Sequence, residues 1–212
     1  MARWPVLLLY IGGVIMNYET IELKSKRLII KKGTKDDFLK VYEYDFKKLK
    51  NIDGECVLLK QDLNKIEALF VDGMKKYYSN IKKAHMFDWI IYLENEPIGN
   101  VLTTDEDVDN KIIEIEFNLH PSYWGNGYMK EAVSSVMDYL FKIGYDNIIC
   151  GYSDGNIKAK RVLEKLGFKP YKIIKDAWKS EKGNMIDDYK TIMTKENWLS
   201  RTLKINKIKD SL

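Results

Sequence analysis

The residues best suited to chemistry lie in one stretch, residues 114–136, where a strand pattern passes through glycines into a helix pattern. Gly125 and Gly127 permit backbone conformations that a side chain would forbid, so a ligand can approach the backbone closely. The first amides of the following helix are unpaired, and its dipole favours negative charge. The stretch therefore predicts an anion site. It is neither a P-loop nor a GxGxxG loop, since no Gly-Lys-Ser/Thr follows and Lys130 takes the third glycine position.

Two carboxylates precede the loop. Glu114 and Glu116 alternate with apolar residues and therefore point to the same face of the predicted strand. A carboxylate beside a reacting amine can accept its proton, directly or through water, or can attract a cationic substrate. The alternative is that both simply lie on a solvated face of the strand.

The elements that position these groups follow from two periodicities. A period of two predicts a strand that ends before Pro121, which cannot donate a ladder hydrogen bond. From Met129 the period becomes helical, with apolar residues on one face. The strand residues are Ile113, Ile115, Phe117 and Leu119, and the helix residues are Met129, Ala132, Val133, Val136, Met137, Leu140 and Phe141.

The remaining elements are predicted around this unit. Thr34 is a predicted helix N-cap with Asp37 three residues later, and Asn156 and Gly167 bound a later helix. Trp198 is a possible anchor in a polar, basic tail. The aromatic residues Tyr42, Phe46 and Tyr77 are interpreted as core in preference to a substrate cleft. Strands are predicted at 23–32, 86–93, 98–104, 147–152, 168–175 and 185–193, and a further helix at about 60–78.

Composition restricts the class of protein. The chain has 212 residues, 45% of them hydrophobic, which suits one domain with a full core. The net charge of +4 is small and interrupted by acidic runs, which argues against a nucleic-acid partner. Cys56 and Cys150 lie in unrelated settings, which is typical of a reducing, cytoplasmic compartment. Without a Cys/His cluster we expect no metal.

The N-terminal residues 1–16 are interpreted as an extension that, by hypothesis, is not native. Their apolar run, Val6 to Ile15, is too short to span a membrane, so we expect no membrane partner. Residues 11–14 can be encoded by a purine-rich ribosome-binding sequence, and our hypothesis is that translation starts at Met16. Otherwise the run packs on the domain or on a partner chain. We assign residues 17–195 to one domain and residues 196–212 to the basic tail.

Several linked motifs carry a family resemblance. LHPSYWGNGYMKEA, followed by GNIKAKRVLEKLGFK, resembles the GNAT acetyltransferase superfamily, and most of all its ribosomal-protein N-acetyltransferase (RimJ/RimL-like) branch. The resemblance extends more weakly over residues 22–193. It implies a single α/β (α+β) domain with a mixed, mostly antiparallel, centrally splayed sheet flanked by helices. The matching pieces are His120-Pro121, Tyr123 to Tyr128, Glu131-Ala132, Asn156, and Leu163 to Phe168.

The resemblance also implies acetyl-CoA as co-substrate. The loop amides would bind its pyrophosphate, and the strand before the loop would pair with the pantetheine arm where the next strand splays away. A backbone amide near Leu119 would face the thioester oxygen, and Asn156 would lie beside the arm. The implied cofactor-binding residues are Asn118, Leu119, His120, Trp124, Gly125, Asn126, Gly127, Tyr128, Met129 and Asn156.

The chain departs from the family pattern at three positions. Glu114 aligns with the family's acidic residue, but Glu116 replaces a glycine. Ala159 replaces a serine near the CoA arm. Leu163 replaces the tyrosine that protonates the leaving thiolate in many members, although a thiolate with a pKa of about 8 to 9 can leave unaided. Glu114 and Glu116 are therefore the candidate catalytic residues, and no general acid is assigned.

The predicted function is acetyl transfer from acetyl-CoA to a primary amine by direct attack in a ternary complex. The acceptor is a peptide N-terminus or a small cationic amine, because Asp105, Glu106, Asp107 and Glu116 favour positive charge. The protein is expected to be a monomer or a homodimer. The alternative is a non-catalytic acyl-CoA-binding module of the same fold. Nucleic-acid binding through the basic tail is a weaker third hypothesis.

Overall fold

A computed structural model describes residues 8–11, 14–17, 20–42, 87–179 and 183–209. The predicted helix at 60–78, together with Phe46, Tyr77 and Cys56, lies outside the described residues. The described strands are β1 (Leu8–Ile11), β2 (Val14–Asn17), β3 (Leu23–Lys24), β4 (Ile29–Lys31), β5 (Asp88–Leu93), β6 (Glu96–Asp107), β7 (Ile112–Leu119), β8 (Asn147–Ser153), β9 (Lys169–Lys179) and β10 (Met185–Thr194). Eight of them form one sheet in the order β3-β4-β5-β6-β7-β8-β10-β9, and β1 and β2 form a separate antiparallel pair.

The sheet is mixed and mostly antiparallel, as predicted. Only β7 and β8 pair in parallel among the described strands of the large sheet, which places a crossover helix between them. This helix carries the apolar face predicted from Met129 onward, and that face is buried. The helices are α1 (Lys35–Tyr42), α2 (Tyr128–Lys142), α3 (Ile157–Leu166) and α4 (Lys195–Lys209).

The helices cover both faces of the sheet. Trp89 and Ile91 of β5 are buried with the apolar residues of α2. The alternate residues Ile90 and Tyr92 are buried with Val41 of α1. Because successive residues of a strand point to opposite faces, α1 and α2 lie on opposite faces of the sheet.

The predicted continuous strand at 23–32 is wrong. The segment forms two short antiparallel strands, β3 and β4, separated by a tight turn. Ser25 closes this turn: its amide donates to the carbonyl of Leu28 at 3.0 Å, and its Oγ accepts from the amide of Leu28 at 3.1 Å. A serine side chain that bonds the backbone in this way competes with the sheet ladder.

The predicted helix caps are confirmed. The amide of Asp37 donates to Thr34 Oγ1 at 3.1 Å, and the amide of Thr34 donates to Asp37 Oδ2 at 2.9 Å, which is a reciprocal capping box. Gly167 ends α3 in the left-handed conformation, with φ of 92°. Trp198 is also the anchor that the sequence predicted. Its side chain is buried, and Nε1 donates to Asp138 Oδ1 at 2.6 Å.

Candidate active site

A gap opens in the sheet where β7 and β8 separate. The two strands pair in parallel from Ile112 opposite Asn147 to Ile115 opposite Cys150. Both strands continue beyond this point, β7 to Leu119 and β8 to Ser153, but they no longer pair with each other. The splay that the sequence resemblance implied is therefore present, and the facing strand edges are open to an extended ligand.

The backbone of Leu119 points into this gap. The amide of His120 donates to the carbonyl of Ile98 on β6 at 2.8 Å, so Leu119 and Gly99 form a pair without mutual hydrogen bonds. The amide and carbonyl of Leu119 consequently face β8. Trp124 Nε1 donates to this carbonyl at 2.7 Å, which ties the glycine loop to the end of β7. An amide in this position can stabilise negative charge on a carbonyl oxygen.

The glycine loop presents an open backbone surface. Gly125 and Gly127 have φ of 81° and 78°, a conformation that L side chains rarely adopt, and Gly127 is the N-cap of α2. A Cβ at Gly125 would meet no atom within 4 Å, so the space over the loop is unfilled. Asn126 fixes the loop from within, since its Nδ2 lies 3.2 Å from the carbonyl oxygen of Tyr123 and 3.1 Å from that of Trp124.

Glu131, in the first turn of α2, anchors the loop to the β3–β4 turn. It accepts hydrogen bonds from Ser25 Oγ at 2.6 Å, from the amide of Arg27 at 2.7 Å and from Arg27 Nε at 2.8 Å. Partial burial opposes ionisation, but these bonds and the guanidinium charge outweigh it and lower the pKa of Glu131. Arg27 Nη2 also donates to the carbonyl of Asn126 at 3.1 Å, so a cation lies beside the loop.

The N-terminus of α3 lies beside the same loop. Asn156 caps this helix, with Oδ1 accepting from the amide of Ala159 at 3.1 Å. The ammonium of Lys158 lies 3.7 Å from the centre of the Trp124 ring, a cation–π contact that joins α3 to the loop. Burial lowers the pKa of Lys158. Leu163 is fully buried in the core, so the position that holds a tyrosine acid in many family members here holds an apolar core side chain.

The other end of the gap carries the carboxylates. Glu114 and Glu116 share one face of β7, as predicted. Glu114 Oε1 accepts from Lys190 Nζ at 2.6 Å, and Lys190 also pairs with Asp188 Oδ2 at 2.8 Å. Glu114 is therefore engaged in an ion-pair bridge between β7 and β10.

Glu116 is in a different environment. The residue is exposed to solvent, and neighbouring protein still removes part of the hydration of its carboxylate. The surrounding protein raises the pKa of Glu116 by desolvation, the negative charges of Glu114 and Asp188 raise it further, and the charge of Lys190 opposes them. On the same face, the Nδ2 of Asn118 is buried and has no hydrogen-bond partner among the described residues.

The structure brings most of the predicted site residues together. Among the predicted cofactor-binding residues, one group differs from expectation. Of Asn118, Leu119 and His120, only Leu119 directs its backbone groups to the gap. The backbone of its two neighbours faces β6 instead, as the hydrogen bond from the amide of His120 to Ile98 shows. The imidazole Nδ1 of His120 instead accepts from the amide of Ser122 at 3.3 Å and caps the 3-10 turn Pro121–Tyr123.

Three cations near the gap were missed by sequence reasoning. Arg27 could have been found, since it lies near the start of residues 22–193, over which the family resemblance extends. Lys158 lies two residues after Asn156, but nothing in the sequence pairs it with Trp124. Lys190 had no local signal, because its partner Glu114 lies 76 positions away.

The described residues contain no group of three or more His, Cys, Asp or Glu side chains that could hold a metal. No helix in the described part of the chain is both long and apolar enough to cross a membrane.

Comparison with known proteins identifies the family. A model described as "Acetyltransferase (GNAT) domain" matches residues 27–169, most of the chain. The chain belongs to the GNAT acetyltransferase family. It is therefore an acyltransferase, and the resemblance to the GNAT superfamily is confirmed.

Named relatives and a solved structure agree with this assignment. The uncharacterized N-acetyltransferase YnaD of Bacillus subtilis (strain 168) is 27% identical over 185 residues, 84% of this chain and 99% of that protein. The uncharacterized N-acetyltransferase p20 of Bacillus licheniformis is also 27% identical, over 117 residues that cover 55% of this chain and 65% of p20. RimJ of Mycobacterium smegmatis, solved in complex with CoA-disulfide, has a TM-score of 0.68 at 14% identity and covers 84% of this chain and 90% of that one. At that identity the likeness shows the fold.

Proposed function

We propose that this GNAT protein transfers the acetyl group of acetyl-CoA to a primary amine, which attacks the thioester directly in a ternary complex. The observation that carries the proposal is the end of β7–β8 pairing after Ile115 and Cys150. An extended arm can lie in such a gap and pair with a free strand edge, as an added strand does. The gap has an anion-binding loop at one end and carboxylates at the other.

The residues of the loop fit a pyrophosphate. The amides that begin α2 are available at its N-terminus, and the open space over Gly125 leaves room for phosphate oxygens. Arg27, held beside the loop by Glu131 and the carbonyl of Asn126, adds positive charge. The M. smegmatis RimJ complex supports the proposal, because that fold neighbour was solved with a CoA derivative.

We assign the proton transfer to Glu116 in preference to Glu114. Glu114 is engaged by Lys190, whereas Glu116 is exposed to solvent and its pKa is raised, which makes its carboxylate a better proton acceptor than an ordinary glutamate. Glu116 takes a proton from the acceptor ammonium, directly or through water, and the nitrogen lone pair then bonds to the thioester carbonyl carbon. The amide of Leu119 stabilises the negative carbonyl oxygen until the carbon–sulfur bond breaks.

The leaving thiolate needs no dedicated acid. Leu163 is buried and apolar, but a thiolate of pKa about 8.5 is an adequate leaving group near neutral pH. The second proton of the amine nitrogen is released as the amide forms, and the thiolate takes up one proton. The carboxylates on this face favour an acceptor that is a cationic primary amine, either a peptide N-terminus or a small polyamine.

The test is thiol release from acetyl-CoA with a panel of amines: peptides with free N-termini, polyamines and aminoglycosides. We expect release with at least one class, together with acetyl-CoA binding measured by calorimetry. N-acetylated versions of the same peptides serve as matched controls and should give none. Tight acetyl-CoA binding without release for any amine would contradict the proposal and favour the acyl-CoA-binding module. Absence of acetyl-CoA binding would contradict the assignment of the glycine loop as a pyrophosphate site.

A further inference from the structure

Lys190 reaches the active-site face by crossing a strand. It lies on β10 opposite Gly151 of β8, and Glu114 lies on β7, on the far side of β8. A Cβ at Gly151 would lie 3.1 Å from Cδ of Lys190 and 3.2 Å from its Nζ, which is tighter than ordinary contact. The missing side chain of Gly151 therefore provides the path along which Lys190 crosses β8.

The bridge that Lys190 makes is largely shielded from water. The side chains of Lys190 and Glu114 are each 18% exposed, and that of Asp188 is 7% exposed. Exposed ion pairs contribute little to stability, because water and salt screen them. Removing one member of a shielded bridge is more destabilising, since the remaining charges are left without a partner of opposite sign.

We propose that Lys190 is a positioning residue of the acceptor site: it holds Glu114 in the bridge with Asp188 and so leaves Glu116 as the carboxylate that exchanges a proton with the acceptor amine. This inference rests on the proposed function, and it assigns a role to a residue that the proposed chemistry does not itself use.

The titratable groups that face Glu116 come from several elements. Its own strand contributes Glu114, β10 contributes Asp188 and Lys190, and β8 contributes the buried thiol of Cys150. On β6 the apolar Leu102 lies directly opposite Glu116, and Asp88 of β5 lies beyond it in the same cross-strand row. Lys190 thus supplies positive charge within a mainly acidic set.

Two measurements test the role of Lys190. The first is the titration midpoint of Glu116 by carboxyl 13C NMR in the protein without substrates, with the resonance assigned by its loss in Glu116→Gln. The second is the acid limb of kcat/KM against pH. Lys190→Met should raise both by about one pH unit or more, because three carboxylates are left uncompensated. Lys190→Arg keeps the charge and should restore both towards their original values.

A second variant keeps the proposal falsifiable if Lys190→Met does not fold. Glu114→Gln removes a negative neighbour while Lys190 stays charged, so the midpoint of Glu116 should fall instead of rising. An unchanged midpoint in folded Lys190→Met, or no decrease in Glu114→Gln, would overturn the inference.

Failure of the proposed function gives a different pattern. If Glu116→Gln keeps the acid limb of kcat/KM, Glu116 is not the base, and the assignment made under the proposed function falls. In that case the NMR midpoint still reports whether Lys190 controls the charge on Glu116. If the midpoint does not respond to Lys190 but Glu116→Gln abolishes the limb, the base assignment stands and the role of Lys190 falls.

Discussion

The two ends of the gap between β7 and β8 are built by different means. The end proposed to bind acetyl-CoA, here called the cofactor end, presents backbone amides from one continuous stretch, the glycine loop and the start of α2, with α3 beside it. The end proposed to bind the amine, here called the acceptor end, presents side chains that converge from separate strands, with Glu116 on β7 and Lys190 on β10. The first is a local structure, whereas the second exists only after the sheet has assembled.

The carboxylates at the two ends of the gap also differ in the direction of their pKa shifts. At the cofactor end, the carboxylate of Glu131 is satisfied by several donors, and its pKa is lowered. At the proposed acceptor end, desolvation raises the pKa values of both Glu116 and Asp88, and the negative charges of Glu114 and Asp188 raise that of Glu116 further. Groups that oppose folding in their charged form are characteristic of sites that transfer protons. The comparison predicts that substitutions at the two ends affect different measurements.

The largest effect is expected for Glu116→Gln, which removes the proposed base and keeps the shape of the side chain. Loss of general-base catalysis should lower kcat/KM by roughly 10² to 10⁴ at neutral pH. The acid limb of the pH profile should disappear with it, because activity requires the ionised carboxylate and the raised pKa of Glu116 places that limb above the usual range of glutamate. Steady-state kinetics from pH 5 to 9 would measure both.

The matched comparison for this variant is acetyl-CoA affinity, which belongs to the other end of the gap. Calorimetry should give the same Kd for Glu116→Gln as for the unaltered protein. A weakened affinity together with an unchanged pH profile would mean that Glu116 supports the local structure of the gap and does not take the proton.

The fold could be predicted from the sequence because its signals are local. The alternation of Ile113 to Leu119, the helical spacing from Met129 and the cap at Thr34 each act over a few residues. The failure at 23–32 has a physical reason of the same scale. Ser25 bonds its own turn and Glu131, and apolar spacing does not report such bonds.

The site could be predicted only in part. The conformation of the loop could be predicted, because glycines next to a helix start indicate a backbone turn with positive φ, and its role as an anion site stays a prediction. The carboxylates were found as a pair, but their difference was not, since it depends on Lys190 crossing Gly151 from another strand. Charge compensation across a sheet leaves no trace in sequence spacing.

Asp88→Asn tests whether the acceptor face opposes folding. Burial raises the pKa of Asp88 from 3.8 to about 6, partly opposed by Lys32, and its buried Oδ1 has no hydrogen-bond partner in the described structure. The folded state therefore holds this proton more tightly than the unfolded state. The associated stability is fully present below pH 4 and is lost as pH rises through 6. Asparagine should raise the free energy of unfolding at pH 7.5 by at most about 3 kcal/mol.

Denaturant unfolding at pH 7.5 and pH 4.5 would measure this prediction. The stabilisation should be much smaller at pH 4.5, where Asp88 is already mostly protonated in the folded state. An equal gain in the free energy of unfolding at both pH values would show that the gain does not come from removing a buried charge. Asp88 would then no longer support the contrast between the two ends.

Gly127→Val tests the cofactor end, and the chain offers a matched control. Gly127 and Gly183 have φ of 78° and 87°, and a Cβ at either meets no close neighbour, so valine should strain both by about 1 to 2 kcal/mol. Only Gly127 lies in the loop. Loss of charge-assisted amide bonds should weaken acetyl-CoA binding by roughly ten- to a hundredfold. Equal affinities for Gly127→Val and Gly183→Val would place the phosphates elsewhere.

The smallest expected effect is at the contact that joins the loop to α3. Lys158→Met removes the cation over Trp124 and keeps most of the side chain's length. An exposed cation–π contact is worth about 0.5 to 1 kcal/mol, so the Kd for acetyl-CoA should rise only about two- to fivefold. Lys165→Met, with the same charge change on the exposed surface of α3, is the control and should rise less. A loss as large as that of Gly127→Val would mean that Lys158 contacts the phosphates itself, and the cofactor end would then depend on side chains as the acceptor end does.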